Sequence, residues 1–146
     1  MLKGISPILS PLLLRALAEM GHGDELVIAD GNFPAESVGK NSVVIRADGH
    51  GVPELLDAIL KLLPLDAYVK NPVALMQVVD GDDCGTPSIW QRYEEILKNH
   101  EPDNCSVEYL ERFEFYERAK GAYLIIAPGE SAIYANILLK KGVVKI

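Results

Sequence analysis

Met20-Gly21-His22-Gly23-Asp24 holds the one histidine of the chain in a shaped context. An imidazole ordinarily titrates near ~6.5, so it can move protons close to neutral pH. The flanking glycines remove side chains that would shield the ring and permit φ > 0. Asp30 lies eight residues further on, after the unbroken apolar run Leu26-Val27-Ile28-Ala29. Such a run suits a strand covered on both faces. In open α/β sheets ligand chemistry collects at the carboxyl ends of strands, where Asp30 would stand. Both features also have plain structural uses. A Gly-His-Gly turn can be a helix C-cap, and an aspartate after a strand can be a turn former.

Other chemistries fit less well. His50 sits in a second Gly-His-Gly loop and His100 follows a helix, so three histidine ligands can be drawn on paper. No H-x-x-x-H or H-x-H spacing supports a metal site. No G-x-S-x-G occurs, and neither cysteine has a basic neighbourhood, so a nucleophilic triad is not indicated. Gly49-His50-Gly51 lacks the third glycine of a dinucleotide fingerprint. Cys84 and Cys105 form no C-x-x-C pair and suggest neither a zinc site nor a disulfide framework, although a single bridge stays open.

What remains is a polar set without metal, nucleotide or nucleophile. His22 and Tyr116 can move protons; Asp30, Asp66, Arg112, Tyr134 and Asn136 can bind hydroxyls. That chemistry suits a neutral polyol. Each has a bland alternative. The tyrosines can be half-buried packing residues with a wet hydroxyl. Arg112 can pair at the surface with Glu111 or Glu114. Asp66 can shape a turn, and Asn136 can open a strand.

The elements that must position these groups follow from periodicity. The 146 residues are read as one domain, 1–146. Ser10-Pro11 starts a helix whose apolar face runs to Met20. A strand Leu26–Ala29, a long loop Gly31 to Asn41 and a strand from Ser42 to Arg46 follow. Then come a helix Pro53–Leu63, a strand Val73–Val79, an acidic loop from Asp80 and a helix opened by Thr86-Pro87. Val107–Leu110 is a strand, Arg112 to Lys120 a helix, and Ala122–Ala127 and Asn136–Leu139 the last strands. This alternation predicts a three-layer α/β/α domain with a mostly parallel sheet. The last two strands are joined too tightly for a crossover helix, so they are expected to be an antiparallel pair. The net charge of −7 disfavours nucleic acid, anionic membrane and phosphorylated ligands. No stretch is long and apolar enough to span a bilayer, which leaves a soluble cytoplasmic protein as the expectation.

The ordered motifs then carry a resemblance. They begin with Ile5-Ser6-Pro7, Met20-Gly21-His22-Gly23-Asp24-Glu25, Asp30 with Asn32-Phe33-Pro34-Ala35, and Arg46-Ala47-Asp48-Gly49. Leu62-Leu63-Pro64-Leu65-Asp66, Arg112-Phe113-Glu114-Phe115-Tyr116-Glu117-Arg118-Ala119 and the run from Tyr134 to Val143 complete them. In this order they resemble the L-fucose mutarotases, relatives of D-ribose pyranase. The segment Asp80–Ser106 matches poorly, and Ala135 stands where close relatives often have glycine.

The resemblance implies an isomerase that opens and recloses a monosaccharide hemiacetal without a cofactor. His22 would be the proton donor and Tyr116 the second acid/base. Asp30, Asp66, Arg112, Tyr134 and Asn136 would hold the sugar. A phenol, ordinarily near ~10, needs a shifted pKa or relays a proton. L-Fucose is the implied substrate, with ribose or galactose as further candidates. A homo-oligomeric ring, commonly a decamer of two pentamers with sites near subunit contacts, is also implied. The alternatives are pyranose/furanose exchange on ribose and a non-catalytic, ring-forming sugar binder.

Overall fold

The computed structural model describes residues 1–146. The strands are β1 (Glu25–Ile28), β2 (Val43–Ala47), β3 (Val73–Met76), β4 (Val107–Leu110), β5 (Leu124–Pro128) and β6 (Ile137–Lys140). The helices are α1 (Pro11–Glu19), α2 (Ala35–Val38), α3 (Val52–Leu60), α4 (Ile89–His100) and α5 (Arg112–Lys120). One sheet runs β2-β5-β1-β6-β3-β4. β1, β2 and β5 pair in parallel, as do β3 and β4, and β6 lies antiparallel between β1 and β3.

Alternation along the strands divides the interior in two. Leu26, Ile28, Leu124, Ile126, Ile137 and Leu139 pack towards α1, α3 and α4. Val27, Ala29, Ala74, Ile125 and Leu138 pack towards α2 and α5, against Val38, Phe115 and Ala119. Every residue of β3 and β5 is buried, because helices cover both faces. No helix is long and apolar enough to cross a membrane.

The α/β class and the mostly parallel sheet agree with the sequence reading. The last strand does run opposite to β5, but it is not β5's neighbour: β1 stands between them. Connection length sets direction without setting the slot. β3 stops at Met76 rather than Val79, because its partners end there: Leu75 faces Ile137 and Met76 faces Leu110. The loop expected from Gly31 contains the one-turn helix α2, too short to show a period. Its Ala35 and Val38 are buried. α1 begins as read, with Ser10 Oγ accepting from the Leu13 N–H at 3.2 Å and Pro11 in its first turn.

The placement of β6 matters for function. Antiparallel pairing sets Asn136, just before β6, beside the end of β1 that leads to Asp30. It sets Lys141, just after β6, beside Asp24.

Candidate active site

At the amino end of β1, α1 ends at Met20 and the chain turns through His22. Lys141 staples this turn. Its ammonium caps α1 by donating to the carbonyls of Leu17 (3.2 Å) and Met20 (2.5 Å). Its backbone carbonyl accepts from the Gly23 N–H, and its N–H donates to the Asp24 carbonyl, both at 2.9 Å. Asp24 closes the turn from within by accepting from the Gly21 N–H at 2.7 Å. Gly23 has φ +86°, a conformation that favours glycine; Gly21 does not need it.

The His22 side chain is 46% exposed, while the Asp66 carboxylate beneath it is 3% exposed. Nε2 lies 3.1 Å from Asp66 Oδ1. An ionised carboxylate only accepts, so Nε2 carries the proton and Nδ1 is the basic nitrogen turned away from Asp66. Burial pushes the Asp66 carboxyl up. The Tyr68 N–H, the imidazole and the charge of Lys140 outweigh it and hold the group below the ordinary carboxylate value. The exposed Tyr68 ring stands 5.4 Å from the imidazole.

At the carboxyl end of β1, Asp30 and Asn136 lock across the sheet. The Asp30 N–H donates to Asn136 Oδ1 at 2.7 Å, and Asn136 Nδ2 donates to Asp30 Oδ2 at 3.1 Å. The Asn32 N–H donates to Asp30 Oδ1 at 3.0 Å. Burial raises the Asp30 carboxyl above its ordinary value, against the pull of the Asn32, Phe33 and Ala135 N–H groups and of Asn136. Asp30, Asp66 and Asn136 are the three buried polar or charged residues of the chain. Buried polar groups need partners, and here the partners also aim the oxygens.

Asp30 and Asn136 open into a cleft of about 240 Å³ walled by Arg112, Tyr116, Tyr134 and Phe33. Arg112 forms no ion pair with Glu111 or Glu114. The Glu111 carboxylate instead caps α5, accepting from the N–H groups of Phe113 and Glu114. The guanidinium lies over the Phe113 ring at 4.6 Å. Tyr116 is half-buried, edge-on to Phe33 at 5.6 Å. Tyr134 is the single non-glycine residue with positive φ, at 54°. Such strain persists where surroundings over-determine it. The Tyr134 hydroxyl donates to Asp82 at 2.5 Å and accepts from the Val79 N–H at 3.3 Å. Asp82 therefore commits the phenol proton and raises the Tyr134 pKa, leaving its oxygen to accept.

The structure thus gathers Asp30, Arg112, Tyr116, Tyr134 and Asn136 and leaves His22 with Asp66 at the other end of the sheet. Six residues of extended chain from Asp24 to Asp30 place the two groups ~20 Å apart. Asp66, read from sequence as a hydroxyl binder, lies under the imidazole, with Oδ1 facing His22 Nε2 and accepting from the Tyr68 N–H. Sequence reasoning also missed Asp82 and Tyr68. An acidic glycine-rich loop signals a turn and not the tyrosine 52 residues away that it holds.

The three histidines lie apart: His22 faces Asp66, His50 faces Glu54 at 3.7 Å and His100 faces Asp57 at 2.7 Å. No three metal-ligating side chains converge. Both cysteines are free. A larger groove of about 430 Å³ between α4 and β4 is walled mainly by apolar side chains such as Leu75, Trp90 and Tyr93. Its two charged lining residues, Glu94 and Lys98, pair with each other at 2.8 Å.

The chain is similar to known proteins along almost its whole length. The model of the RbsD / FucU transport protein family matches residues 3–144. The human fucose mutarotase is 53% identical over 97% of this chain and 94% of its own length. The crystal structure of FucU from Bifidobacterium longum is 58% identical and superposes with a TM-score of 0.94 over 98% of this chain and all of that one. The fucose mutarotase of Streptococcus pneumoniae, crystallised with L-fucose, is 51% identical with a TM-score of 0.92, covering 99% of this chain and all of that one. The chain belongs to the RbsD / FucU family.

Proposed function

We propose that this protein is a mutarotase that interconverts the α and β anomers of L-fucose. One observation carries the reading: the chain follows, from end to end, a fucose mutarotase crystallised with L-fucose. The lining of the cleft suits that ligand. Carboxylate, amide, phenol and guanidinium groups bind hydroxyls of either donor or acceptor character, and a neutral sugar brings no charge to bury.

The reaction needs one proton delivered to the ring oxygen and one removed from the anomeric hydroxyl. The C1–O5 bond then breaks, the aldehyde turns about C1–C2, and the ring recloses on the other face. In its imidazolium form His22 donates the Nδ1 proton to the ring oxygen and is left as the Nε2–H tautomer, while Asp66 holds the imidazole from the opposite nitrogen. Tyr116 takes or relays the second proton. Asp30, Asn136, Tyr134 and Arg112 fix the hydroxyls. General acid/base steps of this kind contribute typically ~10²–10⁴-fold each.

A proton cannot cross ~20 Å, so the imidazole of one protomer serves the cleft of the next. Such a contact joins unlike surfaces, and a closed set of unlike contacts is a ring. Exposed Tyr68, Val143 and Val144 lie towards the His22 end, and exposed Val79, Phe113 and Ile133 lie around the cleft end. Both surfaces suit subunit contact. The subunit number that the family resemblance implies is a decamer of two pentamers.

Exchange NMR on equilibrated L-fucose tests the reading. Cross-peaks between the two anomers grow with added protein; unchanged exchange refutes it. Ribose and galactose run alongside: pyranose–furanose exchange on ribose exceeding anomer exchange on fucose would move the assignment to a pyranase.

A further inference from the structure

α4 touches neither half of the site with a reacting group, yet it grips the backbone of both. Near its start, Trp90 Nε1 donates to the Tyr134 carbonyl at 2.8 Å. The Tyr93 hydroxyl, buried, donates to the Ala135 carbonyl at 2.6 Å. Those carbonyls belong to the strained turn that presents Tyr134 and Asn136. Just past the other end of α4, its C-cap Glu101 accepts through Oε1 from the Leu65 N–H at 3.1 Å, and Asn104 in the turn that follows donates through Nδ2 to the Leu65 carbonyl at 3.2 Å. Both polar groups of Leu65 are thereby taken by side chains.

The residues around Leu65 are held from β6 instead. Asp66 N–H donates to the Lys140 carbonyl at 3.0 Å, and Gly142 N–H to the Pro64 carbonyl at 2.8 Å. A Cβ on Gly142 would meet the Leu65 carbonyl oxygen at 2.4 Å, so the strand runs tight against this turn. The turn is therefore clamped from two sides, and the residue it delivers is Asp66, which aims His22.

We propose that α4 and the turn that follows it form a splint with two positioning grips: Tyr93 and Trp90 set the sugar-holding turn, and Glu101 and Asn104 set the His22–Asp66 pair. The proposal rests on the mutarotase reading above. A helix suits a splint, because its ends keep a fixed separation.

The two grips give different kinetic signatures. Tyr93→Phe removes one hydroxyl and frees the Ala135 carbonyl, so KM for L-fucose rises about fivefold with kcat little changed. Glu101→Ala frees the Leu65 N–H and loosens Asp66, so kcat falls about tenfold with KM little changed. Glu101→Gln keeps an acceptor oxygen and retains wild-type kinetics. A second readout is independent of turnover: the imidazole ¹⁵N resonances of His22 report a fixed Nε2–H tautomer in the wild type and in Glu101→Gln, and a tautomer mixture in Glu101→Ala. Should Glu101→Ala fail to fold, Asn104→Asp, which also removes a bond to Leu65, carries the same pair of readouts. Equal losses in Glu101→Gln and Glu101→Ala, or both grips moving the same constant, would overturn the proposal. Wild-type protein without fucose exchange defeats the mutarotase reading instead, and the ¹⁵N comparison still decides the grip on His22.

Discussion

If the imidazole of one protomer serves the cleft of another, two inactive variants should rescue each other. His22→Gln keeps an intact cleft and Asp30→Asn keeps an intact His22 turn. β1 separates these positions by ~20 Å, so neither substitution disturbs the other half directly. Each variant assembled alone has no complete site. In rings reassembled from an equal mixture, a site is whole when its imidazole comes from an Asp30→Asn chain and its cleft from a His22→Gln chain. Each condition is met at half of the contacts. About a quarter of the sites are therefore restored, and about a quarter of the wild-type rate returns. The assay is anomer exchange of L-fucose by NMR, on chains unfolded together and refolded, with separately refolded variants as controls. Varying the mixing ratio should trace the product of the two fractions, with its maximum at equal amounts. A mixture no more active than its components would refute the shared site and require both halves to meet within one chain.

Further outcomes follow from the two buried carboxylates. Asp66 titrates below its ordinary value in the folded chain, so its ionised form favours folding. That contribution is complete above an unfolded value near ~3.9 and is lost as pH falls through the lower folded value. Asp66→Asn should therefore melt below the wild type at neutral pH, with the gap closing below about pH 4; a gap that persists there contradicts the assignment. Asp30 is raised by burial, so its sign is opposite: the wild type loses stability as pH rises from about 4 through the raised folded value. Relative to the wild type, Asp30→Asn should gain in melting temperature over that span while losing fucose binding, and a constant difference would deny the raised value. Asp82→Asn loosens the Tyr134 hydroxyl from its 2.5 Å acceptor and should raise KM about threefold with kcat retained, read from exchange rates at varied fucose.

The local half of this architecture was legible in the chain. Ser10-Pro11 marks α1 because an N-cap oxygen and a preset φ act within one turn. The bounds read for the β4 strand and the α5 helix match those observed, since both lie between strong punctuators. Gly21-His22-Gly23 and Asp30 stood out because turn chemistry and strand ends are near neighbours in sequence. The arrangement that matters most for chemistry was not legible. β6 enters the sheet between β1 and β3, which no periodicity specifies, and that slot alone brings Asn136 to Asp30 and Lys141 to the His22 turn. Asp66 reaches His22 across 44 residues, so its role under the imidazole rests on tertiary packing. The same holds for α4, whose Trp90 and Tyr93 read as an apolar face while their polar tips find carbonyls of the site.

The imidazole at position 22 is the group on which the proposed proton transfer depends. Anomer exchange of L-fucose, measured by NMR with wild-type protein and with a correctly assembled His22→Gln variant, tests it most directly. The wild type should accelerate the exchange, and the variant should lose about a hundredfold or more of that rate while still binding the sugar. A His22→Gln protein that exchanges the anomers at the wild-type rate would contradict the assignment.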